Sequence, residues 1–217
     1  MNFFKYLLAV FLCVSSMIFA DVFQVNKTII NKLRENRVRL VVLFCFESKN
    51  NQLNIVTSSL SPGYSLTPCG LTELSDVAST LALLNISHIY TSPCFRAQQS
   101  ASLLGIEWGL HPAQLTVDFK LRMQSFGDAE EESYPLYQRR FASTEHMLKG
   151  NPPNGESGLS VFNRTQDALW SVANLHHNTT ILLVTHAFNY CHVAKCLTGQ
   201  FVPVPTTGKF AVYDFNR

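Results

Sequence analysis

The stretch Arg39-Leu-Val-Val-Leu-Phe44-Cys45-Phe46-Glu47-Ser48-Lys-Asn-Asn51 decides how the rest of the chain is read. Four aliphatic residues, Leu40 to Leu43, run without alternation into two aromatics around a cysteine. Such a run fits a strand covered on both faces, as in a parallel sheet between helices. The polar residues Glu47 to Asn51 mark the strand's carboxyl end, where open α/β sheets place their ligands.

Outward from this strand, Asp21 to Asn36 is expected to hold a short helix, and Lys49 to Pro68 reads as a Ser/Asn/Pro/Gly-rich loop. Leu71, Leu74, Val77, Ala78 and Leu81 have helical spacing, so Leu71 to Leu84 is a helix. His88 to Thr91 is a short strand, and Pro93 opens a helix to about Leu104. Gly105 to Gly127 is irregular, with Trp108, Leu110 and Leu115 as a strand with its connection. Ser133 to Lys149 is expected as one helix. Ser157 to Leu175 is another, with Leu159, Phe162, Leu169, Trp170 and Ala173 facing inward. Thr180 to Thr185 is a second fully apolar strand, Asn189 to Leu197 a helix, and Phe210 to Asp214 the last strand. This alternation predicts an α/β chain, a three-layer α/β/α sandwich with a mostly parallel central sheet.

A chain of 217 residues, 47% hydrophobic, supports one domain and one core. With 15% charged residues and a net charge of +2 it has no basic stripe, which excludes a nucleic-acid partner. The first 20 residues resemble a secretory signal: Lys5, then apolar Tyr6 to Val14, then Ser15, Ser16 and Ala20. Fifteen uncharged residues separate Lys5 from Asp21, short of the ~20 of a stable membrane span. A signal peptide over 1–20 and a single domain over 21–217 imply a protein of the secretory lumen or the exterior. In that setting Asn26, Asn85, Asn163 and Asn178 are glycosylation acceptors. Removing the signal takes Cys13 and leaves Cys45, Cys69, Cys94, Cys191 and Cys196, an odd number, so at least one thiol is free or paired between chains. No Cys-X-X-Cys pair occurs, and no metal or cofactor is implied. Glu130-Glu131-Glu132 reads as a solvated run, and His176-His177 as loop residues.

Several segments together resemble the histidine phosphatase superfamily, in its phosphoglycerate mutase-like branch. They are Leu66-Thr67-Pro-Cys-Gly70; Tyr90-Thr-Ser92-Pro93-Cys-Phe-Arg96-Ala97-Gln-Gln-Ser100; Gly155-Glu156-Ser157 with Arg164 seven residues on; and Leu183-Val184-Thr185-His186. The resemblance covers roughly Leu40 to Asp214. It implies a pocket in which a first-strand histidine attacks phosphorus. Two arginines and a second histidine hold the oxygens, and a carboxylic acid protonates the leaving group.

Glu47, Ser48 and Asn51 match the end of the family's Leu-Val-Arg-His-Gly-Glu-Ser-X-X-Asn signature and set the register. Phe44 then stands at the arginine position, Cys45 at the nucleophile and Phe46 at the glycine. Aligning Leu121 and Gly127 with the family's Leu-X-Glu-X-X-X-Gly puts Met123 at the acid. Arg96 and His186 are retained, and Glu47, Ser48, Asn51 and Glu156 are expected binding positions. Losing one charge stabiliser costs about 10²–10³ in rate and losing a general acid about 10²–10⁴. The resemblance therefore implies an inactive pseudophosphatase with a binding role toward an anionic or phosphorylated small molecule or a protein partner. The alternative is a residual phosphomonoester phosphatase using Cys45, Arg96 and His186. Cys94 is the first candidate disulfide partner of Cys45.

Overall fold

The strands are β1 (Val38–Phe44), β2 (Ile86–Thr91), β3 (Leu115–Val117), β4 (Thr179–Thr185) and β5 (Phe210–Asp214). In this computed structural model, which describes residues 23–215, they form one sheet in the order β3-β2-β4-β1-β5. The signal-peptide reading of residues 1–20 lies outside the described residues. Strands β1, β2, β3 and β4 run parallel, and β5 pairs antiparallel along the edge of β1. Unalternating β1 takes an interior place because both its faces can be covered: Leu40 to Leu43 are at most 1% exposed. Each such side chain contributes about 1.5–3 kcal/mol on burial.

The helices are α1 (Lys27–Glu35), α2 (Lys49–Gln52), α3 (Pro68–Ala82), α4 (Phe95–Glu107), α5 (Tyr134–Arg139), α6 (Thr144–Lys149), α7 (Gly158–Leu175) and α8 (Ala187–Thr198). The chain crosses toward β3 through α3 and α4 and returns through α7. Since crossovers between parallel strands keep one hand, reversing direction puts helices on both faces. The parallel register pairs Phe44 with Thr185 and Thr91 with Val184. The chain therefore leaves the sheet at Phe44, Ser92 and His186 along one rim, and the site is assembled there.

Three expectations need correction. The segment Ser133 to Lys149 is two short helices, because Ser143 caps α6 by accepting from the His146 N–H. Phe141 in the break meets Tyr137 and His146 edge to face. The loop Lys49 to Pro68 contains α2 and a 3-10 turn at Pro62–Tyr64. On α7, Trp170 is 43% exposed and Leu159 sits at the surface. Phe162, Leu169 and Ala173 are buried as expected, and the buried face also takes in Arg164, Thr165 and Ala168 in place of Leu159 and Trp170.

Candidate functional site

The chain after β1 turns sharply at Glu47. The α3 amino terminus lies against this turn, and a Cβ on Gly70 would come within 2.0 Å of the Glu47 carbonyl oxygen. Only glycine allows that approach. Thr67 caps α3 through the Gly70 N–H and donates its hydroxyl to Glu47 Oε1 at 2.5 Å. Ser48 is buried; its N–H donates to Asn51 Oδ1 at 3.0 Å and its hydroxyl is within reach of Asn50 Oδ1 at 2.8 Å, fixing the start of α2. Glu47 and Ser48 thus shape the turn, and α2 carries Asn50 and Asn51 over the rim.

Beneath them is a cavity of about 180 Å³. Phe44, Arg96, Met123 and His186 line it, reached from the ends of β1 and β4, from α4 and from the segment after β3. Asn50, Asn51 and Asn54 come from α2 and its exit, Ile55, Val56 and Thr57 from the next loop. Tyr134, Phe188, Val204 and Pro205 complete the wall with Ala187.

Arg96 is 3% exposed. Its Nη1 and Nη2 donate to the carbonyls of Ser59 at 3.3 Å and Thr57 at 3.0 Å. These use two of the five guanidinium N–H groups. Among the described residues no carboxylate forms an ion pair with it. His186 is also buried, and its Nε2 is 2.7 Å from Ser92 Oγ, which accepts from the Cys94 N–H. Burial, then the charges of Arg96 and Arg164, hold the imidazole well below the ordinary histidine range, so it is neutral at pH 7. Arg96 is the fixed cation of the cavity wall.

The two phenylalanines part company. Phe44 forms cavity wall, whereas Phe46 is fully buried and lies beside Gly208. Cys45 is fully buried too and is not among the lining residues. Burial pushes its thiol up to about 12 against the lowering influence of Arg96. Cys45, Cys69, Cys94, Cys191 and Cys196 are all free thiols, so the disulfide considered between Cys45 and Cys94 is not formed.

Of the four expected binding residues, Asn51 lines the cavity while Glu47, Ser48 and Glu156 do not. Glu156 takes Arg164 in a two-point pair, Nε to Oε1 at 2.8 Å and Nη2 to Oε2 at 2.9 Å. Arg122 and the Ser160 hydroxyl add contacts at 2.9 Å. Arg164 Nη1 also donates to the carbonyls of Lys120 and Arg122 at 2.6 and 2.7 Å. Burial pushes the Glu156 carboxyl up, but the hydrogen bonds and charge of Arg164 outweigh it and hold the group below the usual carboxylate range. This clamp fixes the segment before Met123; it does not face the cavity.

The acidic run is not simply solvated. Glu130 accepts from the Ser58 N–H and hydroxyl and from the Phe126 N–H, at 2.9, 2.5 and 2.9 Å. Glu131 accepts from the Tyr64 hydroxyl at 2.5 Å and Glu132 from Arg140 at 2.6 Å. None of the three lines the cavity. Glu130 latches the loop whose carbonyls hold Arg96. His176, placed in a loop as expected, hydrogen-bonds the Tyr90 hydroxyl at 2.8 Å. No cluster of metal-ligating side chains occurs among the described residues, and no described helix is long and apolar enough to cross a membrane.

Asn85 and Asn178 are exposed immediately before β2 and β4, at the end of the sheet away from the cavity, and Asn163 is exposed on α7. Asn26 caps α1 and donates its amide to Gln166 at 2.6 Å. The roof residues Asn50, Asn54, Ile55, Tyr134, Val204 and Pro205 were not singled out in the sequence. Nothing in their local pattern distinguishes them from other loop residues.

The family model described as "Histidine phosphatase superfamily (branch 1)" matches residues 47–209. No curated protein matches the sequence significantly. Among solved structures, a mycobacterial glucosyl-3-phosphoglycerate phosphatase complexed with VO3 is 20% identical with a TM-score of 0.68, covering 80% of this chain and 91% of its own. YhfR of Bacillus stearothermophilus is 20% identical with a TM-score of 0.69 over 81% and 90%. TTHB049 of Thermus thermophilus is 21% identical with a TM-score of 0.64 over 82% and 95%. At such identities the likeness is one of fold.

Proposed function

We propose that this chain, which belongs to the histidine phosphatase superfamily (branch 1), is a secreted pseudophosphatase that keeps the family scaffold and uses the cleft for binding. The observation that carries this reading is the make-up of the cavity wall. Phe44 and Met123 stand beside Arg96 and His186, where the resemblance calls for a second arginine and an acid. The position expected for the nucleophile holds Cys45, whose thiol is buried and pushed up to about 12. A thiol with that value supplies almost no thiolate at neutral pH. A lone guanidinium can hold an anion, but His186, at β4's end with its Nε2 engaged by Ser92, stands at neither the first-strand nucleophile position nor the acid position.

The test is hydrolysis of general phosphomonoesters by the purified protein beside its His186→Ala variant. Equal background rates are expected. Turnover clearly above the variant's would refute the reading, and if Cys45→Ala abolished that turnover the residual-phosphatase alternative would replace it.

Secretion and glycosylation belong to the same proposal. The apolar segment at residues 6–14 and exposed acceptors at Asn85, Asn163 and Asn178 support it. Sugars on Asn85 and Asn178 would leave the cavity rim open. Expression in a secretory cell line is expected to release protein that begins near Asp21 and loses mass on amidase deglycosylation. Retention in the cytosol without glycans would contradict it.

A further inference from the structure

We propose that the cleft takes a small amphiphilic monoanion, a carboxylate on a single aromatic ring, in place of a phosphate ester. The inference rests on the cleft being a binding site, as read above, and goes further by assigning the chemistry of what fills it.

Charge comes first. Arg96 is nine-tenths buried and lines the cavity, and no carboxylate among the described residues pairs with it. A buried, uncompensated cation is costly, and a single anionic group meeting its free donors relieves that cost. The planar fork suits a carboxylate held at two points. A phosphate dianion would bring a second negative charge with no second cation in the wall, because burial beside Arg96 keeps His186 neutral.

The remaining polar groups agree in sign. Asn50 and Asn51 have carbonyl oxygens that accept from Ser48. Their amide NH2 groups are therefore what they offer a ligand, and these are donors for an anion.

The rest of the wall asks for an apolar body. Phe44, Ile55, Val56, Met123, Phe188 and Val204 surround the cavity. Methionine adapts to irregular and aromatic surfaces, and its sulfur is favourable near a ring. A fully hydrated phosphate or sugar would leave these side chains against polar surface. Size is the last constraint. A volume of about 180 Å³ is below the ~300–1,000 Å³ usual for drug-sized ligands, which fits one ring and a short acidic arm.

The purified protein is titrated with phenylacetate, phenylacetamide and phenyl phosphate, followed by calorimetry and ligand-observed NMR. Phenylacetate is expected to bind roughly tenfold or more tightly than either of the others, the scale of a charge-assisted hydrogen bond. Arg96→Gln should lose that advantage. Arg96 also anchors the 57–59 loop, so a second variant is needed. Met123→Glu keeps Arg96 and puts a competing carboxylate on the wall, and phenylacetate binding should fall about tenfold or more. If phenylacetamide binds equally well, phenylacetate fails to bind, or Met123→Glu leaves affinity unchanged, the assignment is overturned. Tighter binding of phenyl phosphate without turnover also overturns it but leaves the non-catalytic reading standing. Hydrolysis of phenyl phosphate instead sinks the reading on which the assignment rests.

Discussion

Arg164 and Arg96 are guanidiniums of similar burial, 7% and 3% exposed, in two regions of opposite character. Arg164 meets Glu156 at two points and caps two backbone carbonyls, so its charge is answered within the fold. Arg96 meets carbonyls alone and faces a cavity. One region is closed and self-sufficient; the other is unfinished without a guest. A family motif can therefore persist for two reasons. Gly155-Glu156-Ser157 persists here as a fastening, whereas of the substituted positions Phe44 and Met123 face the cavity and Cys45 and Phe46 are buried away from it. A degenerate signature is informative only when each residue is known to fasten or to face.

The comparison breaks most visibly on removing Glu156. Glu156→Ala leaves Arg164 buried without its counter-charge and is expected to cost about 3–5 kcal/mol in urea denaturation. A loss below about 1 kcal/mol, the scale of an exposed pair, would mean that the clamp is not what holds α7 to the segment before Met123.

Arg96→Met should cost less than about 1.5 kcal/mol. Two hydrogen bonds to carbonyls are lost, but an unanswered buried charge goes with them. If it destabilises as much as Glu156→Ala, the distinction between the two arginines fails.

Acid sharpens the contrast by separating pH windows. The folded value of Glu156 is lowered. Its contribution is complete above the unfolded value of ~4.3 and is lost as pH falls through the folded one. The folded value of His186 is also lowered, but for a base the sign follows the neutral form. Below ~6.5 the unfolded chain binds a proton that the folded one refuses, so stability drops as pH falls. His186→Gln is expected to flatten the stability profile between about pH 6.5 and 5. Glu156→Gln should change its slope only below about pH 4.3. Identical profiles would contradict both assignments.

The smallest effect belongs to the sheet edge. Arg39 and Asp214 pair across β1 and β5 at 2.8 Å, both partly exposed. Arg39→Ala should cost about 0.5 kcal/mol, a baseline against which the buried clamp is judged.

Much of the fold was legible. The unalternating runs at Leu40 to Leu43 and Thr180 to Thr185 fix two buried parallel strands, and Glu47, Ser48 and Asn51 fix the register that brings Phe44 and Met123 to the site. What escaped was orientation. Phe44 and Phe46 share a parity that a continuing strand would put on one face, but β1 ends at Phe44, and only the turn decides that Phe46 goes inward. The stripe on α7 was right at Phe162, Leu169 and Ala173 and missed at Leu159 and Trp170, because the clamp draws Arg164 inward. Apolar spacing alone turned the helix to put Trp170 inside. The acidic run looked solvated because its partners, Ser58 and Tyr64, lie more than sixty residues away, beyond any local pattern. The roof of the cavity was invisible for the same reason, being made by loops from separate parts of the chain.

The Glu130 latch has a mechanical consequence. Arg96 grips the carbonyls of Thr57 and Ser59, the residues on either side of Ser58, while Glu130 grips Ser58 and Phe126. A guest that stiffens the guanidinium should slow hydrogen exchange at the Ser58 and Phe126 amides, neither of which it touches. Occupancy of the cleft would thus be broadcast to the outer rim of the 130–132 segment as a change in rigidity rather than in shape.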